Sequence, residues 1–232
     1  MLGVPRMCAP IAARWQVKAV CLEERQGLFM IHPDTELRKV DDTIGRGVFA
    51  TQPIPKGTIL YVKDPLEIEV SAEQFETMDP QYQTLINWFS YIDEGGFRIV
   101  SWDIAKYVNH HCDSNSISTG YGFEIATRDI AAGEEITDEY GIFNLPYPLQ
   151  CCCGSSRCRG TISDDDWDTY GNIWDKKAKE ALKHFGKVAQ PLMKFMDTEV
   201  YQSLMQYLNR RRNYRSLFRL RASGNASLEK IG

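Results

Sequence analysis

The chain has 232 residues, 43% of them hydrophobic and 25% charged, which is enough to bury a full core and ordinary for a globular protein. A formal net charge of −4 excludes a global basic field that would draw the whole molecule onto nucleic acid, while a basic peptide would meet no repulsion. No stretch approaches the ~20 apolar residues of a membrane span, and residues 1–10 lack the build of a signal peptide, so a soluble intracellular protein, cytoplasmic or nuclear, is expected.

Residues 1–36 carry weak strand signals at Val17–Cys21 and Gly27–Ile31, and Cys8 and Cys21 read as small buried hydrophobes. From Leu37 short strands follow. Gly45 and Gly47 bracket Arg46 ahead of Val48-Phe49-Ala50, and glycines there let backbone approach a ligand with no Cβ in the way. Thr58–Val62 reads as the next strand. Residues 71–88 read as a helix with Phe75, Met78, Tyr82, Leu85 and Trp88 on its apolar face, broken in two at Pro80. Gly95-Gly96 turns the chain into a strand at Phe97–Val100.

Three unusual clusters follow one another between Lys106 and Gly160. They are Asn109-His110-His111-Cys112, then Gly133-Glu-Glu-Ile-Thr-Asp-Glu-Tyr140-Gly141, then Cys151-Cys-Cys153-Gly-Ser-Ser-Arg-Cys158-Arg-Gly160. Cys151, Cys153 and Cys158 have the spacing C-x-C-x4-C, close enough for three thiolates to converge on one ion, and Cys112 is the candidate fourth ligand. Disulfides fit poorly, because seven cysteines is an odd total and adjacent cysteines are poor partners. A closed four-thiolate zinc site is structural and would pin the segment after Gly141 to the one around Cys112.

Beyond the cysteines, Ser163 followed by Asp164-Asp165-Asp166 reads as a helix start. Leu192, Phe195, Met196, Val200, Leu204 and Leu208 mark one apolar helical face, a packing or interaction element. Nucleic-acid contact is expected, if anywhere, only through the Arg210-Arg211-Arg212, Arg215, Arg219, Arg221 run, which reads more simply as a solvated helix end.

Taken in order and spacing over roughly residues 37 to 162, these blocks resemble a SET-domain protein-lysine methyltransferase with its post-SET zinc motif and no pre-SET cluster. The resemblance implies a mixed, β-rich α+β fold: a β-clip of small curved sheets with a knot-like crossing (pseudoknot), plus a C-terminal helical extension. It divides the chain into a flanking segment (1–36), a SET domain (37–145), a post-SET zinc segment (146–162) and the helical extension (163–232). The implied function is S-adenosylmethionine-dependent methylation of a lysine exposed on a protein substrate, histones included. Tyr140 is the implied catalytic residue. Gly45, Arg46, Gly47, Asn109, His110 and Tyr140 are the implied cofactor contacts, Asn109 through its amide and His110 largely through backbone.

Methyl transfer to an amine is an in-line displacement, so the protein mainly aligns the reactants, and a lysine with an unperturbed pKa of about 10.4 must first lose a proton. Phe143 is a candidate channel residue. Asp138 stands where relatives carry Phe or Tyr, and its carboxylate either points away or loosens the channel and holds the substrate ammonium, so the number of methyls is not implied. Ser114 replaces a common proline, and the longer connection with a Gly-Asn pair that precedes the Asn-His block in relatives is absent. Two other readings stay open: a catalytically silent, zinc-stabilised binding module, and a methyltransferase for another side chain such as histidine. Oligomeric state is not legible.

Overall fold

The computed structural model describes residues 30–222. Among these, short strands form several small sheets, and the longest helix follows them. β1 (Thr35–Lys39), β2 (Arg46–Ala50), β7 (Asn109–His110) and β10 (Glu135–Asp138) make one sheet in the order β1-β2-β10-β7. β3 (Ile59–Val62), β8 (Ser116–Ser118) and β9 (Phe123–Ala126) make a second, ordered β3-β9-β8. β4 (Ile68–Val70), β5 (Ser90–Ile92) and β6 (Arg98–Val100) make a third, and β11 (Leu149–Gln150) pairs with β12 (Thr161–Ile162). The molecule is β-rich α+β with C-terminal helices.

The second sheet lies between two cores, and side-chain alternation along its strands explains how. Ile59 and Ile125 join a cluster with Trp167, Trp174, Leu182 and Leu204. Their neighbours Leu60 and Ala126 join a cluster with Ile31, Val48, Ile54 and Ile136. A strand buried on both faces loses the alternation of a half-exposed one, which is why Ile59–Val62 reads as a nearly continuous apolar run.

The helical hairpin forms in two pieces, α1 (Ala72–Thr77) and α2 (Pro80–Phe89). Ser71 and Gln74 make a reciprocal capping box on α1, and Asp79 caps α2 with Pro80 in its first turn. The face that reads as buried is not: Tyr82, Leu85 and Trp88 are exposed. Phe75 lies under the Arg98 guanidinium, 3.9 Å from its ring centroid.

Two expectations for the tail need correction. Ser163 does not cap the next helix; α3 spans Asp166–Leu182 with Asp165 at its N-cap position and no side-chain capping bond, and Asp166 and Asp168 supply the acidic first turn. Leu192 to Leu208 is not one helix either. A 3-10 turn, Met193–Phe195, is followed by extended Met196, and α4 (Thr198–Leu208) starts afresh because Asp197 accepts from the Glu199 and Val200 amides. The apolar residues of that face still reach the first core. The expected strand at Val17–Cys21, most of the one at Gly27–Ile31, Cys8 and Cys21 lie outside the described residues.

The segment after α4 folds back over the sheets. Asp175 on α3 holds it, its Oδ1 accepting from the Tyr214 hydroxyl (3.1 Å), the Ser216 hydroxyl (2.7 Å) and the Leu217 amide (2.7 Å). Asn144, at φ 49°, holds the far end by donating to the Ile92 and Leu220 carbonyls and accepting from the Ala222 amide. Gly120 lies so close to the Arg215 and Ser216 carbonyls that a Cβ there would overlap them. Of the arginine run, Arg210 to Arg212 are exposed, Arg215 lies over the Tyr121 ring and Arg221 pairs with Asp168. Replacing Asp175 by Ala is expected to cost about 1–3 kcal/mol in denaturant unfolding and to open residues 210–222 to trypsin; unchanged proteolysis would contradict the holding role.

Candidate functional site

β7 and β10 run parallel, Asn109 opposite Thr137 and His110 opposite Asp138, which joins the Asn-His block directly to the Gly-Glu-Glu block. Just beyond β10 the chain turns through Tyr140. Its amide donates to His110 Nδ1 at 3.1 Å and its hydroxyl donates to the Val108 carbonyl at 2.7 Å, so the tyrosine is tied to the Asn-His segment at both ends. Burial, with Asp138 and Glu135 adding, raises the Tyr140 phenol above its usual range, so it acts as a neutral donor. With Nδ1 accepting, the neutral His110 ring carries its proton on Nε2, 3.3 Å from Cys112 Sγ. Burial, then the Arg159 charge, pushes the His110 pKa down to about 3.

The sulfurs of Cys112, Cys151, Cys153 and Cys158 all lie within 4.8 Å of one another. A zinc ion with Zn–S bonds of about 2.3 Å needs a tetrahedron of sulfurs about 3.8 Å apart. Cys112 and Cys151 are 3.8 Å apart, and Cys151 and Cys158 are 3.6 Å apart. The four residues therefore fit the ion, and Gly154 at φ 75° makes the turn that brings the last three together. Amides of Cys112, Arg159 and Gly160 point at Cys153, Cys112 and Cys158, an outer shell suited to thiolates. The Gly160 amide, first among several hydrogen bonds, holds the Cys158 thiol down at about 7, whereas burial pushes Cys151 up. Four sulfurs this close cannot all ionise without a cation among them. Cys152 is exposed and takes no part.

Arg159 ties this cluster to the tyrosine. Its guanidinium pairs with Glu139 at 2.5 Å and with Asp166 at 3.0 Å, and it lies over the rings of Tyr170 and Trp174 at 4.9 and 5.7 Å. Glu139 in turn accepts from the Gly141 amide at 2.9 Å. Gly141 sits against the Trp174 indole with no room for a Cβ. The residue after the last cysteine thus fixes the residue before Tyr140. Both charged residues belong to motifs visible in the sequence, yet nothing in the linear pattern says that they pair.

Tyr140 lines an open cleft. The cleft, of about 450 Å³, is lined by Tyr61, Tyr91, Glu124, Asp138, Tyr140 and Phe143, among others. The Phe143 ring lies 5.4 Å from that of Tyr140 and 5.3 Å from that of Tyr91, so Asp138 and Phe143 do share a wall with the tyrosine. Outside that cleft, the Asn109 amide nitrogen donates to the Arg46 carbonyl (3.0 Å) and to the Glu135 carboxylate (2.7 Å), which joins β7 to β2. The two glycines differ there. Gly45, at φ 85°, is bordered by open space, whereas Gly47 is closed by Val40, Asn109 and Glu135, so its missing side chain serves packing between strands. The open Gly45 and exposed Arg46 form a shelf at the surface, where the Gly45 amide and carbonyl and the Arg46 carbonyl are paired within the fold.

Residues 45–141 match the family model for the SET domain. That stretch of the chain is similar to a SET domain. A variant-silencing SET domain-containing protein of Plasmodium falciparum is 34% identical over 143 residues, covering 54% of this chain and 5% of that protein. The histone-lysine N-methyltransferase ATX2 of Arabidopsis thaliana is 36% identical over 70 residues, covering 27% and 6%. A putative histone-lysine N-methyltransferase of Arabidopsis thaliana, ASHH4, is 22% identical over 173 residues, covering 68% and 47%. The chain thus spans a small part of the first two relatives and about half of the third. Tyr61, Tyr91 and Glu124 of the cleft carry no signal in the sequence. Each is a single residue on a strand, and only the packing of three separate sheets brings them to the cleft beside Asp138. Among the described residues no helix is long and apolar enough to cross a membrane.

Purified protein is expected to carry about one zinc per chain, and Cys153→Ser to lose it and melt at lower temperature; a fully folded, metal-free wild type would contradict the fit. Arg159→Ala leaves Glu139 buried without its cation and is expected to cost about 3–5 kcal/mol in denaturant unfolding, with a loss under about 1 kcal/mol counting against the coupling.

Proposed function

We propose that this chain is an S-adenosylmethionine-dependent protein-lysine methyltransferase. The observation that carries the reading is that Tyr140 lines the acidic, aromatic cleft and is hydrogen-bonded to His110, whose neighbour Asn109 bonds to the Arg46 backbone. The shelf would hold the cofactor, with the backbone of Gly45 to Gly47, the Asn109 amide and His110 backbone as its contacts. When bound, S-adenosylmethionine supplies an electrophilic methyl on a sulfonium. The cleft would take the lysine, its aromatic walls around the aliphatic stem and its acidic side facing the amine.

The protein's own contribution is alignment, since an in-line transfer gains most from holding nucleophile and methyl in one approach geometry. Tyr140 is the catalytic residue in this reading. It is neutral, locked by two hydrogen bonds, and offers its phenol oxygen to the amine and to the methyl. The zinc cluster and the Arg159–Glu139 pair act through it by fixing the turn that carries it. The first relatives' printed names include histone-lysine N-methyltransferases, which makes histones the first substrates to try and the nucleus the place of action.

The test is transfer of labelled methyl from S-adenosylmethionine to a panel of proteins beginning with histones, followed by identification of the labelled side chain. Label on lysine, with Tyr140→Phe at least about 100-fold slower while still folded, is the expected result. Label on histidine would give the reading to another nucleophile, and no transfer to any protein would leave a binding module.

A further inference from the structure

One side of the cleft is acidic in a way the fold does not require. Asp138 is the inward position of β10 two residues after Ile136, where alternation along a strand calls for an apolar side chain, and it is 4% exposed. Glu124 on β9 faces the same way as Ala126, away from the core that takes Phe123 and Ile125. Both carboxyls line the cleft beside Tyr61, Tyr91 and Tyr140. Glu124 Oε1 accepts from the Ser118 hydroxyl at 2.7 Å, while Oε2 is buried with no hydrogen-bond partner among the described residues. Asp138 Oδ1 accepts from the Glu139 amide at 2.7 Å.

No basic side chain among the described residues forms an ion pair with either. Lys177, whose charge lies near Asp138, gives its ammonium to the Ser114 carbonyl at 2.6 Å. Burial pushes both carboxyls up; the Asp138 charge adds to the rise at Glu124, while the Lys177 charge opposes it at Asp138. Holding two carboxyls out of water with no directly bound cation lowers stability, a cost that a ligand cation would relieve.

We propose that Glu124 and Asp138 are the amine-recognising residues of the cleft: they accept the N–H donors of a primary ammonium, and the product is accordingly the monomethyl form. The second clause rests on the lysine-methylation reading above; the first does not. In the donors' terms, every methyl added to the nitrogen deletes one N–H and turns a carbon toward a carboxyl oxygen that is already short of partners. A cleft walled by tyrosine and phenylalanine rings also suits an alkyl stem ending in a small cation.

The decisive probe is n-butylammonium, which carries the lysine side chain's end without a peptide. In titrations followed by NMR, the wild-type chain is expected to shift amides around Glu124, Asp138 and Tyr140, and to bind n-butylammonium about tenfold or more tightly than its N,N-dimethyl form. The Glu124→Gln, Asp138→Asn double variant is expected to lose that preference while melting at the same temperature as wild type or higher, because a site kept for a ligand costs stability and a structural pair does not. Equal binding of the two amines by wild type, no preference lost in the double variant, or tighter binding of n-butylguanidinium would each overturn the proposal. The product is read separately by mass. Wild type is expected to stop at one methyl on the lysine of a labelled substrate, and Asp138→Phe to proceed to two or three. Di- or trimethyl product from wild type would overturn the product half, and absence of any transfer would fail the methyltransferase reading while the butylammonium titration still decides amine recognition.

Discussion

The parallel pairing of β7 with β10 is the constraint on which the rest of the site depends. Parallel neighbours need a crossover, and here the chain between His110 and Glu135 supplies it, carrying β8 and β9 on the way. Once paired, the two strands deliver His110 and Tyr140 to the same point, and a single imidazole links the tyrosine's amide to the sulfur of Cys112. So short a ladder is weak by itself, and the geometry is held from outside. The sulfur cluster grips the end of β7, and the Arg159–Glu139 pair, set between α3 aromatics, grips the end of β10. The C-terminal helices are thus part of the site's scaffold, since Trp174 packs against both Gly141 and Arg159.

Electrostatics in this region follow two different rules. Arg159 and Glu139 pair closely and give rigidity, and Arg159 also reaches Asp166, although its Nε is buried with no hydrogen-bond partner among the described residues. Asp138 and Glu124 have no cation between them, and they stand in the wall of the cleft with an acceptor left open. One pair fixes Tyr140 in place, and the other faces what the tyrosine would act on.

Much of this was legible in the sequence wherever the relevant residues sit close together in the chain. The C-x-C-x4-C spacing, the turn at Gly154, the Pro80 break and the Gly45 turn are local facts with local causes. The convergence of Cys112 on the other three follows from the need for a fourth ligand, not from spacing. Gly47 reads in sequence as an opening for a ligand, but the Asn109 side chain from β7 fills that space, a contact between segments far apart along the chain. Glu124, Tyr61 and Tyr91 are invisible in the linear pattern for the same reason: the packing of separate sheets, not sequence distance, sets their neighbours in the cleft. The misplaced apolar face of α2 and the divided helix around Asp197 show periodicity outweighed by a cap or by the absence of a partner surface.

The most direct test of the central arrangement is a crystal structure of the chain with S-adenosylhomocysteine. That ligand is expected on the shelf beside Gly45 and Asn109, with its sulfur turned toward the Tyr140 hydroxyl and the cleft left open on the far side. A ligand found inside the cleft, or on the shelf with its sulfur directed away from Tyr140, would contradict this arrangement.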